Sequence, residues 1–74
     1  MNYHFAYKGK SPTLNTYLLD VTIHEENRTR ELDHVLYHRT LGFCDPRILE
    51  MDATNLQTIT KECREFLCAK GVLT

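Results

Sequence analysis

The stretch Tyr17-Leu18-Leu19-Asp20-Val21-Thr22-Ile23 carries the strongest strand signal in the chain. It is rich in the β-branched and aromatic residues that favour strands. Leu19, Val21 and Ile23 recur at every second position, which places them on one face of an extended segment. We therefore predict a strand here with one face in the core and the other toward solvent.

A second strand is predicted immediately upstream. Tyr3, Phe5 and Tyr7 alternate with polar or small residues, which is the spacing of a half-buried strand. The intervening Gly9-Lys10-Ser11-Pro12 has the composition of a turn. These two strands are predicted to form a hairpin with a rather long loop.

The segment 29–43 is harder to assign, and its end signals favour a helix. Pro46 lies just beyond it and would stop a helix from continuing. The residues suited to helix ends are a capping Thr29, the acids Glu31 and Asp33 in the first turns, the bases His38 and Arg39 near the end, and Gly42 at the C′ position. We predict a helix from Thr29 to Phe43.

A strand from Asp33 to Leu41 stays open as the alternative, because the apolar stripe of this helix is imperfect. On a helical wheel Arg39 falls among Leu32, Val35 and Leu36. The strand would present alternate side chains on its two faces, with Val35, Tyr37 and Leu41 on one and His34, Leu36 and His38 on the other.

The C-terminal third is predicted to hold a short strand, Arg47 to Met51, and then a long helix, Thr54 to Lys70. Gly71 followed by Val72 suits a Schellman ending for that helix. Its apolar stripe spans about 100° of the wheel and consists of Leu56, Ile59, Cys63, Phe66 and Leu67.

These elements predict an α+β fold in one domain covering residues 1–74. The predicted order is β-β-α-β-α, with a three-stranded sheet and the helices on one face. The alternative is a four-stranded antiparallel sheet plus a C-terminal helix. A chain of 74 residues buries only about 60% of its unfolded surface, so we expect a thin core.

Composition indicates a globular protein with little net charge. The chain is 42% hydrophobic and 26% charged, and its 9 Lys and Arg residues nearly balance 10 Asp and Glu residues. That balance weakens nonspecific phosphate binding, which needs an excess of cations. The N-terminus lacks the apolar core of an export signal, and no apolar run is long enough to span a membrane. Three cysteines do not make the even set of a disulfide framework. We expect a cytoplasmic protein with no membrane partner.

No set of residues indicates chemistry. His34 and His38 are four apart and would share a face of a helix or of a strand, but a zinc site needs a third ligand that the spacing does not supply. Cys44 lacks an identifiable base and oxyanion donors. The chain contains no glycine-rich phosphate loop, no paired-carboxylate motif and no Ser-His-Asp candidate. We therefore expect no catalysis, no metal and no cofactor.

The remaining hypothesis is a small intracellular regulator or inhibitor that binds another protein. Tyrosines are enriched in interfaces, and open sheet edges favour a homodimer. Small chains of this kind are often encoded by phages and mobile elements. The alternative is a nucleic-acid-binding regulator that uses Arg28, Arg30 and Arg39 with the two histidines. The partner-binding residues predicted on these grounds are Tyr3, Tyr7, Tyr17, Arg28, Arg30, His34, Tyr37, His38 and Arg39.

Overall fold

A computed structural model describes residues 1–73 and shows an α+β domain. Four antiparallel strands form one sheet in the order β1-β2-β3-β4, and a long C-terminal helix packs against it. The four-stranded alternative is thus confirmed, and the three-stranded sheet is wrong. The elements are β1 (Asn2–Lys10), β2 (Thr16–His24), β3 (Thr29–His38), β4 (Gly42–Phe43), α1 (Pro46–Leu49) and α2 (Ala53–Ala69).

The predicted hairpin is confirmed. β2 lies at the centre of the sheet and pairs with β1 on one side and β3 on the other. Leu19, Val21 and Ile23 are buried as their spacing indicates. The five residues 11–15 connect β1 to β2, so the loop is long for a hairpin.

The helix predicted from Thr29 to Phe43 is wrong, because this segment forms β3, a turn and β4. A β-bulge explains the misleading pattern. Asp33 and His34 together lie opposite the single residue Asp20, which moves the buried positions of β3 to Leu32 and Val35, three residues apart. That spacing imitates a helical stripe, so the local pattern concealed a strand.

The alternative strand from Asp33 to Leu41 is correct in kind but not in extent. β3 begins at Thr29 and ends at His38, and Val35 and Tyr37 are buried on one face as that alternative holds. Leu41 does not join them, because the chain has already turned and its side chain is 78% exposed.

The predicted strand from Arg47 to Met51 is also wrong, because α1 occupies this position. Asp45 caps the helix by accepting a hydrogen bond from the Arg47 N–H at 2.8 Å, and Pro46 takes the first helical position. This is the arrangement in which proline favours a helix start. Ile48 then points into the core and is fully buried.

The long C-terminal helix is confirmed within one residue at each end. Ile59, Cys63 and Leu67 are fully buried against the sheet. Burial raises the pKa of the Cys63 thiol to about 12, so this cysteine stays neutral and serves as a core residue. The Schellman ending is present, because the Val72 N–H donates to the Leu67 carbonyl at 3.0 Å and Gly71 has a positive φ.

The two faces of the sheet differ. One face, with Phe5 and the apolar side chains of β2 and β3, packs under α2, whereas the other carries partly or fully exposed side chains such as His4, Asp20 and Glu31. Within residues 1–73, no helix is both long enough and apolar enough to cross a membrane.

Candidate functional site

Two loops come together at the end of the sheet where β2 begins and β3 ends. The loop 11–15 and the turn 39–41 are joined by a hydrogen bond from the Arg39 N–H to the Asn15 carbonyl at 2.8 Å. Each carries a strongly exposed leucine, Leu14 at 81% and Leu41 at 78%. We call residues 11–15 and 39–41 the two-loop end. Exposed leucines on neighbouring loops are candidates for partner contact rather than for folding.

The His38 side chain holds the turn 39–41 in place. Its Nδ1 accepts hydrogen bonds from the backbone N–H groups of Thr40 at 3.0 Å and Leu41 at 3.1 Å. Gly42 ends the turn with φ +86, a backbone conformation that L residues rarely adopt. A side chain there would also meet Thr60 of α2, since an added Cβ would lie 3.3 Å from the Thr60 Cγ2 atom. The turn and the helix therefore approach closely at this point.

A groove of about 400 Å³ runs between this turn and α2. We call it the Leu41 groove. Apolar surface predominates in it, and its charged members are two cations, Lys61 and Arg64. The residues that line it are Tyr37, Thr40, Leu41, Gly42, Leu56, Gln57, Thr60, Lys61 and Arg64.

Arg64 fixes the helix side of the Leu41 groove. Its Nη1 donates to the Arg39 carbonyl at 3.2 Å, which ties α2 to the turn. The neighbouring Tyr37 is buried, and desolvation raises the pKa of its hydroxyl although Arg64 opposes that rise. The Tyr37 ring also meets Phe43 edge to face, with 5.0 Å between the ring centroids. Tyr37, which lines the groove, is thus held in place by a packed aromatic neighbour.

Cations gather at the two-loop end although the sequence alternates acids with bases. A second, more polar cavity of about 260 Å³ lies beside the loop 11–15 and includes Lys10 and Arg39. Among residues 1–73, no carboxylate lines either cavity. Lys10, Arg39, Lys61 and Arg64 come from three separate segments, and only the fold brings them to this end.

The structure divides the four tyrosines into two pairs. Tyr17 and Tyr37, at 6% and 1% exposure, belong to the core, so they offer a partner little surface. Tyr3 and Tyr7 are half-buried on the outer strand β1, and the Tyr7 ring lies 6.4 Å from that of Tyr17 between centroids. Among the predicted tyrosines, those two have surface available for contact.

The predicted arginines do not form one cluster. Arg28 and Arg30 lie by the β2–β3 turn, where both pair with Glu25, and the Arg28 hydrogen bond holds the pKa of that carboxyl below its usual range. Arg39 lies at the far end of β3, roughly 30 Å away at the rise of an extended strand. The set named for nucleic-acid binding is therefore split between opposite ends of the sheet.

His34 and His38 lie in different environments and make different hydrogen bonds. His34 sits in the β3 bulge with φ +56, and its N–H donates to the Asp20 Oδ1 at 3.3 Å. The Nδ1 of His38 is engaged by the turn. Within residues 1–73, no three His, Cys, Asp or Glu side chains are grouped so that they could hold a metal ion.

The residues that sequence reasoning missed are Leu14, Leu41, Leu56, Lys61 and Arg64. Large apolar residues inside turn-like segments were the available signal for the first two, because Leu14 follows Ser-Pro-Thr and Leu41 precedes Gly42. Nothing local marks Lys61 or Arg64, which look like ordinary helix surface residues. Comparison of the chain with protein-family models, curated proteins and solved structures finds no match.

Proposed function

We propose that this chain is a small regulator or inhibitor that acts by docking onto another protein, with no catalytic step of its own. The observation that carries the proposal is the Leu41 groove, which combines an apolar floor, two cations and the exposed Leu41. Small protein surfaces of this composition suit the burial of one or two anchor side chains of a partner.

The groove favours an acidic segment with an apolar anchor as the bound partner. Lys61 and Arg64 supply positive charge at its lining, and no carboxylate from residues 1–73 competes with them there. Complementary charge fixes the orientation of a partner and speeds the encounter, whereas burial of an apolar side chain supplies most of the affinity. Leu14 and Arg39 extend the same surface across the two-loop end.

The proposal includes a reducing compartment inside the cell. Cys44 and Cys68 are exposed free thiols and Cys63 is buried, so none of the three is used in a disulfide within residues 1–73. Exposed unpaired thiols are typical of proteins kept under reducing conditions.

The test is a capture experiment with matched leucine variants of the intact protein. Leu41→Asp introduces a negative charge into the groove. Leu49→Asp introduces the same charge outside the groove, at a leucine on α1 that is 51% exposed. We expect a host protein that is retained by the wild-type protein and by Leu49→Asp to be lost with Leu41→Asp. For that partner, titration calorimetry is expected to show affinity reduced about tenfold or more by Leu41→Asp.

A charge variant tests the partner's chemistry. Lys61→Glu is expected to weaken binding, whereas Lys70→Glu, at the C-cap of α2 and outside the groove, is expected to leave binding nearly unchanged. If Leu41→Asp and Leu49→Asp bind the partner equally well, the Leu41 groove is not the binding site.

Nucleic-acid binding is the second candidate function, and the observation in its favour is the group of four cations at the two-loop end. A gel-retardation series at increasing salt distinguishes it from protein binding. Binding through phosphates weakens steeply as salt rises, and Lys61→Glu would reduce that salt dependence. No retardation at low salt excludes this candidate.

A further inference from the structure

The outer edge of β1 is a long open edge of this sheet. Within residues 1–73, β1 pairs with β2 on one side, and no backbone or side-chain group hydrogen-bonds to its other side. A row of unpaired N–H and C=O groups on an edge strand is a template for another strand.

The first part of this edge also lacks the features that discourage pairing. Asn2 to Tyr7 contains no charge, no proline and no bulge, and its register with β2 is regular. The irregularity begins afterwards, where Lys8 is the extra residue of a β-bulge. The Lys8 Nζ forms an ion pair with the Asp20 Oδ2 at 3.3 Å. Lysines and bulges are common protections of edge strands, so protection begins only at residue 8.

We propose that the edge of β1 pairs with β1 of a second copy, antiparallel and centred on Phe5, so that two sheets join into one of eight strands. A two-fold axis at this point places Tyr3 opposite the partner's Tyr7 and Phe5 opposite its counterpart. The segment Tyr3 to Tyr7 then pairs entirely with itself and ends before the Lys8 bulge.

Self-complementarity is what indicates a second copy instead of a foreign strand. In this register each aromatic residue on the α2 side faces another aromatic residue, a favourable cross-strand combination. His4 faces the partner's Ala6, and Asn2 faces the partner's Lys8. Like charges therefore never lie directly opposite each other. A shift of one residue would put the two α2 helices on opposite faces, and centring on His4 would place the two imidazoles against each other.

The dimer leaves both Leu41 grooves free, because those grooves lie beside β4, at the opposite edge of the sheet. Its two binding surfaces would therefore act together on a partner with two segments. Because only the five residues from Tyr3 to Tyr7 pair with their counterparts, we expect a reversible dimer of modest affinity.

Two double variants that differ only at position 4 test the pairing and its register. Both carry Ala6→Lys, at a position that lies opposite Asp20 on β2 and is compatible with the monomer fold. The opposite-charge variant adds His4→Glu, so that each new carboxylate would face a new lysine side chain of the partner. The like-charge variant adds His4→Lys instead, so that lysine faces lysine twice. Sedimentation equilibrium from micromolar to millimolar concentration measures the dimer dissociation constant, and circular dichroism confirms that both variants are folded.

We expect the wild-type protein to dimerise, the opposite-charge variant to dimerise about tenfold more tightly and the like-charge variant to stay monomeric. A monomeric wild-type protein overturns the proposal, and so does a dimer that neither pair of charges alters. If both variants are monomeric, the register centred on Phe5 is wrong. Leu41→Asp is expected to dimerise like the wild-type protein, so failure of the groove proposal would leave this result unaffected.

Discussion

The two edges of the sheet have opposite arrangements. The outer edge of β3 is covered from Asp33 to His38 by residues that come later in the chain, whereas the first part of the β1 edge is left with no partner among residues 1–73. Both strands are nine or ten residues long and both contain a bulge. The difference shows that the β3 edge is protected by contacts from residues distant in sequence, whereas β1 has only its own bulge and Lys8 for protection.

Within residues 1–73, three contacts cover the second half of the β3 edge. β4 pairs with Tyr37 and His38, and the Cys44 N–H donates to the Leu36 carbonyl at 3.0 Å. Farther along the strand, the Nη2 of Arg47 donates to the Asp33 carbonyl at 2.8 Å. Asp45 holds that guanidinium with its Oδ2 2.7 Å from Nη2. A single buried carboxylate therefore supports both the start of α1 and the closure of the edge.

The largest expected effect comes from removing this carboxylate. Asp45→Ala deletes the cap of α1 and releases Arg47, so we expect the free energy of unfolding to fall by about 2 kcal/mol. Urea denaturation followed by circular dichroism measures the loss. Asp52→Ala is the matched control, because Asp52 occupies the N-cap of α2 without making a side-chain cap hydrogen bond. Equal losses in the two variants would contradict the role assigned to Asp45.

The same pair contributes to the response of the folded protein to acid. The hydrogen bond from Arg47 lowers the pKa of Asp45 below its usual value. The pKa of Asp45 in the unfolded protein is about 4, and its pKa in the folded protein is lower. The ionised carboxylate therefore stabilises the folded protein above about pH 4, and this stabilisation is lost as the pH falls through the folded-state pKa. The gap in stability between wild type and Asp45→Ala is therefore expected to be constant near neutral pH and to narrow as the pH falls from about 5 to about 2. A gap that stays constant in denaturation curves across that range would show that the pair is not responsible.

Bulges and caps also explain which parts of the fold the sequence could predict. The β1–β2 hairpin and α2 follow from periodicity, because Leu19, Val21 and Ile23 keep a strict spacing of two and Ile59, Cys63 and Leu67 keep a spacing of four. In β3 the bulge breaks the spacing of two. Its position depends on Asp20, which lies 14 residues away from His34 and which no local window includes.

The start of α1 was open to prediction and was missed. Asp45 and Pro46 form an N-cap and N1 pair, and that signal outweighs the strand-like composition of Ile48 and its neighbours. The Leu41 groove was not predictable in the same sense. Its cations Lys61 and Arg64 lie beside the turn 39–41 only because β3 is a strand. A helix from Thr29 to Phe43 contains no such turn, so the groove cannot be predicted from that assignment.

An intermediate effect is expected at the turn that forms the Leu41 groove. His38→Ala leaves the N–H groups of Thr40 and Leu41 without their acceptor, so we expect a loss of about 1 kcal/mol of stability. His38→Asn is the matched control, because its side-chain oxygen can accept the same hydrogen bonds locally. Thermal unfolding should rank the wild-type protein first, then His38→Asn, then His38→Ala. If the two variants lower the midpoint equally, the Nδ1 contacts do not stabilise the turn.

The smallest expected effect is a gain in stability at the bulge of β3. His34 adopts φ +56, in which a residue with a Cβ is strained, so His34→Gly is expected to raise the free energy of unfolding by about 0.5 kcal/mol, the relief of strain exceeding the entropy cost of glycine. Asn15 also has a positive φ of 59, but asparagine tolerates this region, so Asn15→Gly should not stabilise the protein. Chemical denaturation of both variants tests this difference. A loss of stability in His34→Gly would mean that the imidazole stabilises the fold by more than the backbone strain destabilises it. Like the Asp45–Arg47 pair, the His34 side chain would then stabilise the conformation of β3.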